Sequence, residues 1–187
     1  SGSEQLTTWH CAKVFPHIMA KVASIYYQKV YKQKQELFSN LRQFASPSGQ
    51  LTLLSENQHL KLERWVVASG EDLHQIPDGA ADMVVCTLVL CSVTDIPRVL
   101  REVLRVLRLG GAFYFLEHVA ADHSSWTYFW QKVCDPAWKY FGDGCSLSRE
   151  TQKELEKMNF SELNLRRIHV TPYWIPTSPH IIGYAVK

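Results

Sequence analysis

The sequence predicts an α/β fold with a parallel core and an antiparallel C-terminal edge. Three observations lead there. Met83 to Thr87 is a continuous apolar run behind the turn signal Pro77-Asp78-Gly79, the pattern of a parallel strand buried on both faces. An amphipathic helical stretch follows, and Ala112 to Glu117 then returns as a strand, making a β-α-β unit with a right-handed crossover. Finally, two strand-like runs, Leu163 to Val170 and His180 to Lys187, are joined by the rigid segment Thr171 to Pro179, which suits an antiparallel hairpin with a long loop.

Taken in order, the chain divides into an N-terminal basic amphipathic helical segment, 1–46, and an α/β domain, 47–187. In the first, Met19, Val22, Tyr26, Val30, Leu37, Leu41 and Phe44 recur at intervals of three, four or seven, and lysines including Lys13, Lys21, Lys29, Lys32 and Lys34 mark the polar side. Such a helix either covers an edge of the sheet or meets a membrane surface or partner. Leu51 to Leu54 and Leu60 to Ala68 are two strand candidates. Ahead of the central helix, Thr94 or Asp95 serves as cap and Pro97 fits the first turn. Its stripe is Val99, Leu100, Val103, Leu104, Val106 and Leu107, while Arg98, Arg101, Glu102, Arg105 and Arg108 are expected to face water. Gly110-Gly111 is expected to stop it. An aromatic helix is expected from Ser125 to Trp138, a turn at Gly142-Asp143-Gly144, and a helix capped by Ser148 ending near Asn159.

Bulk composition removes several function classes. With 187 residues, 46% hydrophobic and 20% charged, the chain is a globular domain with a real core. A net charge of +2 gives no concentrated basic face, so no nucleic-acid partner is expected. Cys11, Cys86, Cys91, Cys134 and Cys145 are odd in number and fit reduced thiols in a cytosol-facing domain. No CxxC or HxxxH pair occurs, so spacing predicts no metal site. No run approaches the ~18–20 apolar residues of a membrane span.

Gly70-Glu71-Asp72-Leu73, Pro77-Asp78-Gly79 and Asp82 to Val93 are similar to the acidic-loop and fourth-strand motifs of class I methyltransferases, a Rossmann-like fold. Arg105-Val106-Leu107-Arg108-Leu109-Gly110-Gly111 resembles the ending of the following helix, with Leu109 where that family usually has proline. More narrowly, Cys-Thr-Leu-Val-Leu-Cys-Ser-Val (86–93), Glu117-His118-Val119-Ala120, Asp143-Gly144-Cys145, Pro179-His180 and Ala185-Val186-Lys187 look like the methyltransferase-like thiol S-methyltransferases. The likeness runs from about Phe38 to the C-terminus. It implies S-adenosylmethionine as methyl donor, a small alkyl thiol as acceptor, and attachment to endoplasmic reticulum or lipid-droplet membranes through an N-terminal anchor. That anchor would belong to a longer parent chain; without it a cytosolic location is expected.

The resemblance also implies a glycine-rich loop, a helix and a second strand ending in an acid after Leu51 to Leu54. Here Ser55-Glu56-Asn57-Gln58-His59 leads straight to Leu60. The loop would bring backbone amides to the methionine moiety and the acid would hold the ribose. Five residues cannot make a parallel crossover, which takes about a dozen or more. The two runs therefore form an antiparallel hairpin, or the first is displaced or merged while the second sits beside Met83 to Thr87. The longer second run favours displacement. Either way the sheet is incomplete on its first-half side and the Thr87–Leu88 edge opens to solvent.

By resemblance, Gly70, Glu71 and Asp72 lie on the loop that meets the adenine, and Thr87 and Leu88 lie at the sulfonium end. Helix-start acids and core packing are the alternative readings. His118 is a candidate proton acceptor for a thiol, or else a structural histidine. Trp126, Phe129, Trp130 and Trp138 either wall an acceptor pocket or are plain core. Two functions stay open: methyl transfer to small thiols, and a noncatalytic remnant serving as a binding module.

Overall fold

The structure, a computed structural model, describes residues 24–26, 28–39, 43, 53–54 and 68–187. It falls into two compact units that divide between Glu36 and Leu37. In the first unit, residues 24–26 and 28–36 are helical, with Val30 buried and Lys29 and Lys32 exposed.

The second unit is built on a five-stranded sheet of order β1-β2-β3-β5-β4. Its strands are β1 (Leu53–Leu54), β2 (Ala81–Thr87), β3 (Leu107–His118), β4 (Glu162–His169) and β5 (Pro179–Val186). The first three run parallel, β5 is antiparallel to β3, and β4 is antiparallel to β5. This is the mixed Rossmann-like sheet with an antiparallel C-terminal pair that the sequence predicts.

The favoured displacement of the first run is not what the fold does. Leu53 pairs with Met83 and Leu54 with Val84, so β1 lies parallel beside β2, in the place expected for the second run. Most of Leu60 to Ala68 lies outside the described residues. A two-residue pairing retains the strand because β2 presents an unused row of backbone donors and acceptors on that side.

Among the described residues of this unit three helices connect the strands: α1 (Ile96–Val106) between β2 and β3, then α2 (Trp126–Phe141) and α3 (Thr151–Lys157) between β3 and β4. Asp95 caps α1 by accepting from the Arg98 amide at 3.0 Å, with Pro97 in the first turn. The helix ends at Val106 rather than at Gly110-Gly111, because Leu107 is already extended and fully buried as the first residue of β3. Gly110, with φ +72°, serves a bend inside the strand, where glycine alone enters the left-handed region without cost. Ser148 does not cap α3, which begins after Glu150; its hydroxyl donates instead to Asp135.

Phe113, Tyr114 and Phe115 are consecutive and fully buried, which requires cover on both faces of β3. On one face Phe113 and Phe115 join Val84, Val99, Leu100, Val103 and Leu155 in the main core. On the other, Ala112 and Tyr114 pack with Met83, Leu37 and Phe38. Each large side chain so buried contributes roughly 1.5–3 kcal/mol, which makes β3 the spine of the domain. Its carboxyl end, beside that of β2, is therefore a fixed platform.

Candidate functional site

In an open α/β sheet, ligands bind outside the carboxyl ends of the parallel strands. Here that edge carries Thr87 and Leu88 after β2, and Glu117 and His118 at the end of β3. Thr87 and Leu88 are half-buried and Val89 is exposed. Leu88 has φ +60°, an uncommon backbone state for a leucine, and its amide donates to the Leu116 carbonyl at 2.8 Å. The turn it starts is held from below by Glu117, which is fully buried. That carboxylate accepts from the amides of Val89 (3.0 Å) and Cys91 (3.3 Å) and from the Cys86 thiol (3.3 Å). Burial pushes the Glu117 carboxyl upward, against the pull of these donors. Glu117 is thus a positioning residue for the β2 exit. Sequence reasoning placed it on this edge without seeing that it folds the turn.

The loop carrying Gly70, Glu71 and Asp72 is anchored to α1. Glu102 accepts from the Leu73 amide at 2.7 Å, and Arg105 donates to the carbonyls of Leu73 and Ile76, to Asp78 and to Glu102. The expectation that these two residues form a solvated face is corrected: both are half-buried, because three of the Arg105 guanidinium hydrogen bonds go to the loop and two to Glu102, which itself accepts from the loop. Arg98 and Arg101 are exposed, and Arg108 pairs with buried Asp82. Glu71 turns its carboxylate to the amides of Thr94 (2.8 Å) and Asp95 (2.9 Å), joining the loop to the start of α1. Asp72 is exposed, and hydrogen bonds from His74 pull its carboxyl down. Gly70 is half-buried, over Val99.

His118 is buried at the end of β3, its ring 4.3 Å from that of His180. Its Nδ1 lies 3.5 Å from the Cys145 sulfur and 3.9 Å from the Cys91 sulfur. Burial first, and His118 next, hold His180 down to about 3, so that ring is neutral. Sequence spacing hid this group, since its members are 27 residues apart in each step. A cleft of about 770 Å³ opens beyond it, lined by Val119, His123, Lys153, Arg167, Tyr173 and His180 among others. Gln131, fully buried, ties together segments that carry this lining: it accepts from the Ala121 amide and donates to the carbonyls of Val119 and Pro176.

The four aromatic candidates of α2 divide between surface and core. Trp126, Phe129 and Trp130 are exposed, and Trp138 packs inward, against Cys91, Cys145 and Leu147.

A methyltransferase domain family model matches residues 48–115, from before β1 through most of β3. Human thiol S-methyltransferase TMT1A is 47% identical over 218 aligned positions, covering 97% of this chain and 89% of the relative. Human thiol S-methyltransferase TMT1B is 41% identical over 213 positions, covering 95% and 87%. The chain belongs to the thiol S-methyltransferase family. Among solved structures, a S-adenosylmethionine-dependent methyltransferase from Methanosarcina mazei is 20% identical with a TM-score of 0.49, covering 65% of this chain and 66% of that one.

The alignment lengths carry more than identity. Since 97% of 187 residues fill at most about 182 of the 218 positions shared with TMT1A, about 36 positions have no residue here. The thiol S-methyltransferase family uses S-adenosylmethionine. The 70–80 loop is anchored to α1, and the β2 exit is held by Glu117. No glycine occurs between Leu51 and Ser69, so the sequence directly after β1 offers no glycine loop of the kind that brings backbone amides close to a ligand. That segment does not fit the glycine-loop cradle expected for the methionine portion.

Proposed function

We propose that this chain is a thiol S-methyltransferase by descent that keeps the acceptor side and the adenine loop and has lost most of its hold on the methyl donor. The observation that carries this reading is the shortfall of about 36 aligned positions, set against a β1 strand that still lies beside β2. A loop, helix and strand together need roughly 30 residues, which matches the shortfall. The place for them is the short link after Leu54.

In this reading Gly70, Glu71 and Asp72 border the adenine, and Thr87 and Leu88 border the transfer point. A small alkyl thiol is the acceptor in this proposal, and the names of the human relatives describe those proteins as thiol S-methyltransferases. Transfer to sulfur depends chiefly on proximity, so a dedicated base is dispensable. His118 keeps the role of proton acceptor only if a substrate thiol reaches a ring whose Nδ1 already faces two cysteines.

Loss of several donor hydrogen bonds at about 1 kcal/mol each weakens donor affinity by about a hundredfold or more. Calorimetric titration with S-adenosylmethionine is expected to show binding weaker than micromolar; micromolar binding overturns the proposal. Labelled S-adenosylmethionine and an alkyl thiol then separate two readings. Transfer above a heat-killed control at high donor concentration marks a weakened enzyme. No transfer at any concentration favours the noncatalytic binding module, which the missing cradle also supports.

We further infer a cytosol-facing location at an endoplasmic-reticulum or lipid-droplet surface. Among the described residues no helix is long and apolar enough to cross a membrane. Support comes from α2, which exposes Trp126, Phe129, Trp130 and Val133 at helical spacing, with Lys132 and Lys139 beside them. Aromatic residues with flanking lysines suit a lipid headgroup boundary. Weak cosedimentation with anionic phospholipid vesicles is expected, reduced by Trp126→Ser with Trp130→Ser; unchanged binding of that variant removes α2 from the contact.

A further inference from the structure

Cys91, His118 and Cys145 bring one ligand atom each to within 4.8 Å of one another, and all three are buried. From this geometry we propose that they form a metal site of Cys₂His type, taking zinc or a similarly soft divalent ion with three protein ligands. The distances fit the ion. With Zn–S near 2.3 Å and Zn–N near 2.0–2.1 Å, a tetrahedral centre sets sulfur and nitrogen about 3.6 Å apart. The two sulfurs lie 3.5 and 3.9 Å from His118 Nδ1.

The ligands sit on separately anchored segments, so the site is built before any ion arrives. His118 ends the central strand β3. Cys91 is held through its amide by Glu117 and through its carbonyl by the Ser146 amide at 2.9 Å. Cys145 follows the tight turn at Asp143 and Gly144, and its amide donates to the Gly142 carbonyl. Asp135 fixes the next residues by accepting from Ser146, Leu147 and Ser148. Leu147 and Trp138 close an apolar shell around both sulfurs. Charge balance suits burial: two thiolates and a neutral imidazole cancel a divalent ion, whereas one unpaired thiolate there would be costly. The fourth position is left to a ligand from solution, and binding releases the two thiol protons to solvent.

The site stands apart from donor binding and is tested without it. The reduced full chain, stripped by chelator, is titrated with Co²⁺ and then Zn²⁺. One equivalent of cobalt with thiolate charge-transfer and tetrahedral ligand-field bands is expected, displaced by zinc. Zinc is also expected to raise the melting temperature. Cys91→Ser and Cys145→Ser should each weaken affinity by at least about a hundredfold, while Cys134→Ser and Cys11→Ser leave it unchanged. Melting curves of each variant separate loss of ligand from loss of fold. Absence of the cobalt bands in folded wild-type protein overturns the proposal. So does their survival in a folded Cys91→Ser/Cys145→Ser protein, or their loss in Cys11→Ser. A mass lighter by two hydrogens with the bands absent assigns the pair to a disulfide and also overturns it.

Discussion

Arg105 shows how one side chain can decide whether a binding loop exists as a surface. Its fork reaches two carbonyls and two carboxylates, and a lysine at the same place offers one rotating ammonium instead. Arg105→Lys is expected to cost about 1–2 kcal/mol, read as a lower denaturant midpoint with earlier proteolysis between Gly70 and Ala80. The sequence suggested water-facing arginines because helical spacing reports which face a residue occupies, not what a distant loop brings to it. Glu117 was legible as an edge residue only, since its three donors come from residues about thirty positions upstream.

Elements were easier to read than their ends. β2, α1, α2 and the β4–β5 pair stand where periodicity and turn residues put them. The misplacements share a cause: Leu107 and Ser148 obey a tertiary partner, a buried strand position and Asp135, over a local capping preference. β1 held its place against the preference for the longer second run, because two paired residues suffice at an edge. One element position is sterically exact in a way no pattern announces. A Cβ at Gly183 would collide with the Asn164 carbonyl oxygen of β4. Gly183→Ala is therefore expected to destabilise by about 1–3 kcal/mol, and the loss should fall on β4 and β5 in amide exchange. An unchanged melting temperature would contradict it.

At the scale of the whole molecule, the chain aligns with most of a relative's length while leaving about 36 aligned positions unfilled, which we propose are one module after Leu54. The family was legible because its motifs cluster at strand ends that survive, and the loss was legible because a five-residue link cannot return a parallel strand. The metal-type cluster was not legible, since three segments must fold before its ligands meet. If the missing module is the whole defect, restoring it should restore binding. Insertion of the corresponding TMT1A segment after Leu54 is expected to raise S-adenosylmethionine affinity by about a hundredfold or more, measured calorimetrically. A folded insertion chimera with unimproved affinity would place the defect elsewhere.

The Gln131 bridge carries a kinetic consequence. One buried amide joins α2, the segment after β3 and the loop before β5, so these three cannot loosen independently. The cleft rim should breathe as one cooperative unit, with the Ala121 amide exchanging hydrogen at the rate of the rim and not of its own short segment. Gln131→Leu fills the same space without donors or acceptor. It is expected to free the Ala121 amide and decouple the exchange of α2 from that of the β4–β5 loop; matched rates in the variant would show that packing alone holds the rim together.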